Sequence, residues 1–349
     1  MSSRHVERFL DTLISSGTAD AAVALLGTAD EILWEGAVGE ARPGIPAEIG
    51  TRFDYASVTK PFVATLALLL DGDGTLPLRI RIGEVWPEAH PKLGRRPLSD
   101  LFRHRSGILG WTPLYHRCRT LEDVRELLPS GDLLGARAGT YSDLGYMLWA
   151  LMVERWTGIP LWGALRSRVL DPLGLTSIET FSGDRPDLAV SRMGTGVEVK
   201  LAAKQGLQIP DLGAPPPGMP QDGNARFLMG FGFGGGVFGH AGLFGGARDL
   251  WRLGAEWLAP GRLLSPEGAS TALAGKGPFA LGWWRRTIRG SAGRALSHAS
   301  FGHTGFAGNS LWIDRQARRV FVLLSTRTDP WSNINAWRRR FHAAASRHE

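Results

Sequence analysis

The sequence predicts a mixed α/β (α+β) chain, with one antiparallel sheet of about five strands flanked by helices and a mostly helical lobe inserted between its two halves. Three observations carry this expectation. Strand-like runs cluster near the two ends of the chain, two early and three late. Both termini read as amphipathic helices. The long middle reads as helix after helix, broken by Gly, Pro and Asp.

The first element is a helix. Val6, Phe9, Leu10, Leu13 and Ile14 recur at helical spacing, with Arg4, Glu7, Arg8 and Asp11 between them. That pattern is amphipathic and lacks the continuous apolar run of a secretory signal, so a cytoplasmic location is expected. Two strands follow, Ala21–Leu26 and Glu31–Val38, joined as a hairpin by Gly27-Thr28-Ala29-Asp30. Arg52–Ser57 then leads into an apolar helix over Pro61–Leu70, stopped by Asp71-Gly72-Asp73-Gly74. Helical patterns continue at Leu121–Leu128, Leu144–Trp156 and Leu161–Leu170, and Asp171-Pro172-Leu173-Gly174 breaks the last. From Asp211 to Gly223 the chain reads as loop around Ala214-Pro215-Pro216-Pro217-Gly218. Three late strands are expected at Phe279–Ile288, Asn309–Asp314 and Val320–Ser325, with a turn at Arg315–Arg319. A closing helix from about Asn333 places Ile334, Trp337 and Phe341 on one face. Residues 1–56 together with 225–349 are therefore expected to form the sheet lobe, and 57–224 the helical lobe. No internal repeat interrupts this plan.

Composition narrows the function. Hydrophobic residues make up 43% of the 349 and charged residues 21%, the profile of a globular chain able to build a large core. Cys118 is the only cysteine, which excludes an internal disulfide and a cysteine-based metal cluster. No run reaches the roughly 18 apolar residues of a membrane helix, so no membrane partner is expected. The net charge of +7 is carried by arginine in short scattered clusters such as Arg338-Arg339-Arg340. They read as a solvated surface and not as a nucleic-acid footprint. Lysine occurs only at 60, 92, 200, 204 and 276.

Three short segments carry chemistry. In Ser57-Val58-Thr59-Lys60 a hydroxyl lies one helical turn from an amine, at the start of a helix. A serine needs a base to become a nucleophile, and a buried lysine can be neutral where arginine cannot. Alone the spacing means little, since a capping serine followed by a surface lysine gives the same string. Tyr141-Ser142-Asp143 offers a phenol that can relay a proton. His303-Thr304-Gly305 precedes a strand, with a glycine that permits close approach.

In this order the three resemble the signature motifs of the serine β-lactamase and penicillin-binding-protein family: Ser-x-x-Lys, Tyr-x-Asn, and Lys- or His-Thr-Gly. The similarity is strongest to the class C branch, which includes esterases and D-amino-acid peptidases. It extends to Phe53–Pro61, to Leu101-Phe102-Arg103-His104-Arg105-Ser106-Gly107, and to Asp171–Leu175. It also covers Gly239-His240-Ala241-Gly242-Leu243-Phe244 and Phe301–Phe306. The resemblance implies a β-lactamase/transpeptidase-like fold and an acyl-enzyme on Ser57, in a site between the lobes. Lys60 and Tyr141 would share the acid and base work. Backbone N–H groups of Ser57 and Phe306 would form the oxyanion hole, with His303, Thr304 and Gly305 on the substrate-binding edge. Asp143 departs from the family's asparagine: an ionised aspartate only accepts hydrogen bonds and favours a charged lysine. The base role is left open between Lys60 and Tyr141.

Gly230-Phe231-Gly232-Phe233-Gly234-Gly235 matches a dinucleotide fingerprint literally, but no strand or βαβ unit surrounds it. Phe231–Gly246 reads as a packed glycine-rich loop under the active site. The nine histidines show no metal-ligand spacing, and no cofactor or metal is expected. The expected function is a serine hydrolase acting on small esters or amides, carboxylesterase-like. D-alanyl-D-alanine carboxypeptidase, D-aminopeptidase and class C β-lactamase remain alternatives, and so does a non-catalytic ligand-binding relative. With His303 in place of a lysine and Asp143 in place of an asparagine, neutral esters are expected to be preferred over carboxylate-bearing substrates. Arg285 is the residue that could restore positive charge.

Overall fold

The computed structural model describes residues 3–180 and 183–347. It holds a seven-stranded sheet in the order β3-β2-β1-β9-β8-β7-β6, every adjacent pair antiparallel. The strands are β1 (Ala19–Gly27), β2 (Ile32–Arg42), β3 (Ile45–Pro46), β6 (Trp284–Arg285), β7 (Ser300–Thr304), β8 (Ser310–Asp314) and β9 (Arg319–Arg327). A separate pair joins β4 (Phe53–Asp54) to β5 (Phe244–Gly245). The sheet is thus drawn from both ends of the chain, because β1 pairs with β9 from Ala19↔Arg327 to Gly27↔Val320.

The central strands explain their own sequences. In β1 the side chains of Ala21, Val23 and Leu25 enter one core, and Ala22, Ala24 and Leu26 enter the other. A strand buried on both faces reads as a continuous apolar run, as ADAAVALLG does. Residues of β9 divide in the same way, with Val320, Val322 and Leu324 opposite Phe321 and Leu323. The smaller core is closed by the terminal helices α1 (Ser3–Ser15) and α7 (Ile334–Ala345), through Val6, Phe9, Leu10 and Leu13 from the first and Phe341 and Ala345 from the second. On the other face lies α6 (Ala247–Leu258), so close that a Cβ on Gly254 would stand 2.6 Å from Val320 Cγ1.

Between the two halves of the sheet run α2 (Thr59–Gly72), α3 (Asp143–Thr157), α4 (Gly196–Ala203) and α5 (Gly223–Met229), with shorter helical turns. The α2 residues Thr59 to Ala67 are all buried, which suits a helix apolar on every side. The helix begun at Leu161 does not run evenly to Leu170: a wider turn takes over at Arg166–Leu170, and Gly174, at φ +67°, ends the segment.

The sheet has more strands than sequence patterning suggests. Only Trp284–Arg285 of the Phe279–Ile288 run joins the ladder. Gly282 has φ +79°, and its position meets α2, where an added Cβ would lie 2.1 Å from Ala64 Cβ. The chain turns there, and Ala280 N–H donates back to Trp283 O at 2.8 Å. Ser300–Thr304 is the strand that patterning leaves out. It pairs with β6 on one side and β8 on the other, with His303 opposite Leu311. The glycine string at 230–236 has no strand before it; α5 precedes it, and Gly232, Gly234, Gly235 and Gly236 all have positive φ. Among the described residues, no helix is long and apolar enough to cross a membrane, and no cluster of three His, Cys, Asp or Glu residues could hold a metal.

Candidate active site

Ser57 stands in the short turn Ala56–Val58 that opens α2. The turn is held by what precedes it. Ala56 has φ +48°, a strained value for a residue with a Cβ. Asp54 Oδ1 fixes it by accepting the Ala56 N–H at 2.8 Å, and Asp54 Oδ2 accepts from Gln221 N–H at 2.7 Å. Burial pushes the Asp54 carboxyl up to about 6 against these hydrogen bonds. Asn309 Nδ2 donates to Asp54 O at 2.6 Å, tying the nucleophile segment to the start of β8.

Helical spacing brings Lys60 beneath Ser57. Its Nζ donates to Ser57 Oγ at 2.9 Å and to His240 O at 3.1 Å, and lies 2.6 Å from Asp143 Oδ1. The side chain is fully buried. Burial lowers the Lys60 pKa, and the Asp143 carboxylate opposes that lowering without reversing it. Asp143 is the first residue of α3, whose Ncap is Ser142: its Oγ accepts from Gly145 N–H at 3.1 Å. Ser142 N–H in turn donates to Nδ1 of the buried His104 at 2.9 Å. Burial and then Lys60 press the His104 imidazole down to about 3, so it is neutral and accepts this bond.

Tyr141 lies against the same lysine, with Nζ 4.9 Å from its ring centroid. Its ring stacks on Trp284 at 5.4 Å and leans on His104 at 4.7 Å. Burial, then the Asp143 charge, hold its hydroxyl well above the ordinary value; interaction with Ser57 lowers it by less. A neutral phenol beside a serine can donate or relay a proton, while a depressed lysine can accept one.

The third segment reaches the site along β7. His303 is buried, 6.1 Å from the Tyr141 ring, with Nδ1 3.0 Å from Thr304 O. Burial and the positive charge of Lys60 hold it well below its ordinary value, so the ring is neutral at pH 7. Gly305 permits contact between the strand end and the nucleophile turn, since a Cβ there would lie 2.6 Å from Tyr55 O. The cleft in front of Ser57, about 120 Å³, is lined by Trp111, Asp143, Val197, Glu198, Leu201, Asp222, His240 and Phe306, among others. His303 and Thr304 do not line it. Nor does Arg285, which donates to the carbonyls of Leu273, Ala274, Gly277 and Phe279. It adds no charge to the cleft.

Four residues near the site lie outside the three signature segments, although His240 falls in the Gly239–Phe244 stretch that shares the resemblance. His240 Nε2 meets Asp222 Oδ1 at 3.1 Å; burial opposes the imidazolium, but Asp222 and Asp143 outweigh it and raise the pKa. Glu198 reaches the cleft from α4. Arg338 of α7 is buried and donates to Gly305 O at 2.5 Å, Asn309 O at 3.0 Å and Gly308 O at 3.3 Å, bracing the loop that carries Phe306. His240, isolated in a Gly-Ala-Phe stretch, is the only one whose surroundings hint at burial.

Comparison with known proteins identifies the family and the fold. A putative D-alanyl-D-alanine carboxypeptidase of Escherichia coli is 28% identical over 341 residues, covering 86% of this chain and 76% of the relative. The esterase EstB of Burkholderia gladioli is 29% identical over 354 residues, covering 88% and 86%. Among solved structures, EstCE1, described as a hydrolase with promiscuous acyltransferase activity, superposes with a TM-score of 0.78 at 20% identity, covering 99% and 98% of the two chains. A penicillin-binding-protein homologue from Caulobacter crescentus gives a TM-score of 0.73 at 19% identity, covering 98% and 97%. The family model described as Beta-lactamase matches residues 4–345, and the chain belongs to that family.

Proposed function

We propose that the protein is a serine hydrolase that cleaves small esters or amides through an acyl-enzyme on Ser57. The observation that carries the reading is the contact of Lys60 Nζ with Ser57 Oγ at 2.9 Å, with the amine fully buried. Lys60 takes the serine proton as Oγ attacks the carbonyl carbon. As the tetrahedral intermediate collapses, the C–leaving-group bond breaks, and Tyr141 gives its phenolic proton to the leaving group and regains one from Lys60. Water then attacks the acyl carbon and gives a proton to Lys60, and the C–Oγ bond breaks as Oγ takes that proton back and the acid leaves. The proposed oxyanion donors are the N–H groups of Ser57 and Phe306, two residues that border one cleft. The base role falls to Lys60 because burial depresses its pKa, whereas that of Tyr141 is raised.

Substrate charge follows from the same cleft. Asp143, Asp222 and Glu198 line it, and His303 is neutral at pH 7. Lys60 and His240 already pair with Asp143 and Asp222, so among the described residues lining the cleft no free cation awaits a carboxylate near the scissile bond, and a short p-nitrophenyl ester should exceed nitrocefin and a D-Ala-D-Ala peptide in kcat/KM. If either carboxylate substrate is the faster at pH 7, this preference is wrong. For the nucleophile, Ser57→Ala should cut the rate by roughly 10³-fold or more, since members of such a unit fail together. A fluorophosphonate probe should label the Ser57 peptide; labelling of another serine, with Ser57→Ala still active, overturns the reading.

A further inference from the structure

We propose that the cleft selects substrates bearing a positively charged ammonium group, received by Glu198. This rests on the reading of Ser57 as the nucleophile of the same cleft. Two other charge pairs in the cleft are already made: Lys60 with Asp143 and His240 with Asp222. Glu198 is different. Its Oε2 accepts from Tyr115 Oη at 2.7 Å and its Oε1 from Gly223 N–H at 2.9 Å, both neutral donors. Among the described residues, no Lys, Arg or His nitrogen forms an ion pair with it. Arg226 acts on it only through its field, for its own donors go to the carbonyls of Pro220 at 2.9 Å, Gly213 at 3.1 Å and Gln221 at 3.0 Å.

A half-buried carboxylate that lines a cleft and accepts only from neutral donors leaves an ion pair to be made by an incoming cation. Burial and the neighbouring Asp222 push Glu198 up to about 7, and an arriving cation favours its ionised form by offsetting the Asp222 charge. The rest of the wall suits an alkylammonium group. Trp111 borders the cleft as an aromatic wall, the Phe306 ring already carries the Arg327 guanidinium at 5.5 Å, and Val197 and Leu201 offer apolar contact for the carbon chain. A purely apolar substrate fits those walls but leaves Glu198 unpaired; an anionic one meets it as like charge.

The test uses two p-nitrophenyl esters of matched shape, 4-(trimethylammonio)butanoate and 5,5-dimethylhexanoate, at about pH 8, where Glu198 is mostly ionised. Each kcat/KM is divided by the ester's spontaneous hydrolysis rate. The wild-type ratio should favour the cation about tenfold, and Glu198→Gln should bring it close to one. A ratio that Glu198→Gln lowers less than about threefold overturns the proposal. Should that variant not fold, wild-type inhibition decides: butyltrimethylammonium should compete about tenfold better than 1-butanol, and equal inhibition overturns it. Ser57→Ala separates the two readings. If it abolishes hydrolysis while the ratio is flat, only the ammonium proposal fails; if it stays active, the acyl-enzyme reading fails.

Discussion

In the proposed mechanism, Asp143 sets the working range of Lys60 as the base. Its carboxylate, 2.6 Å from Lys60 Nζ, favours the protonated amine, while full burial disfavours it. An amine that must be neutral to accept the serine proton produces an acidic limb in the pH profile of kcat/KM. Asp143→Asn removes the charge that holds the proton, so the limb should move to lower pH, by about one unit or more. An unmoved limb would mean that another group limits the reaction. Lys60→Arg keeps the charge but cannot accept a proton, and should lose about as much activity as Ser57→Ala. Tyr141→Phe is the companion: a large loss there beside a small one at Lys60 would hand the base role to the phenol.

At the level of elements, α7 serves the site without touching the cleft. Arg338 carries its guanidinium into the loop between β7 and β8 and meets three carbonyls, with Asn335 Oδ1 as a further acceptor at 2.8 Å. Burial lowers its pKa to about 9, so the charge is retained at neutral pH. Fixing Gly305 and Asn309 fixes the backbone of Phe306 between them. Arg338→Met should lower kcat by about 10- to 100-fold with a smaller change in KM, because a displaced N–H weakens transition-state binding first. Arg338→Lys should recover part of it, since an ammonium reaches fewer of the carbonyls. Steady-state kinetics beside thermal melting separates this from simple unfolding: a melting loss with unchanged kcat would leave Arg338 as a stabilising residue only.

Across the whole molecule, buried histidines couple stability to acid: besides His303 of the site there are His104 and His342. His104 sits in the helical middle and His342 in α7, where it packs on Trp312 and Phe321. Burial holds them at about 3 and about 4, below the ordinary 6.5. Above pH 6.5 both are neutral in the folded and unfolded states and contribute no pH dependence. Below it the unfolded chain takes up protons that the folded chain refuses, so their contribution to stability falls as pH drops towards 4, against an opposite contribution from Asp54 and Glu198, whose carboxyls are held up at about 6 and about 7. Each histidine contributes a slope of up to about 1.4 kcal/mol per pH unit in that window. Urea denaturation between pH 7.5 and 5 should show His342→Gln with a shallower slope than wild type. Parallel slopes would show that His342 is protonated in the folded state.

The sequence by itself determined most of the secondary framework through local periodicity, and its resemblance to the family named Ser57, Lys60 and Tyr141 as catalytic candidates. Ser57 and Lys60 share a helix turn, so their proximity is written in a spacing of three. The terminal helices and the hairpin follow from apolar stripes and a short polar link. Only the tertiary structure decided which groups meet across distant segments. Strand β7 is invisible to patterning because Ser300–Thr304 lies between two strands and is buried on both faces, which removes any alternation. The Phe279–Ile288 run loses most of its strand because Gly282 must turn where α2 passes. Asp143 differs from the family's asparagine by one letter, but its 2.6 Å approach to Lys60 depends on the packing of α3 against α2. Glu198, Asp222 and His240 lie 198, 222 and 240 residues along the chain with no common motif; long-range packing alone gathers them at one cleft and leaves one carboxylate without a cation.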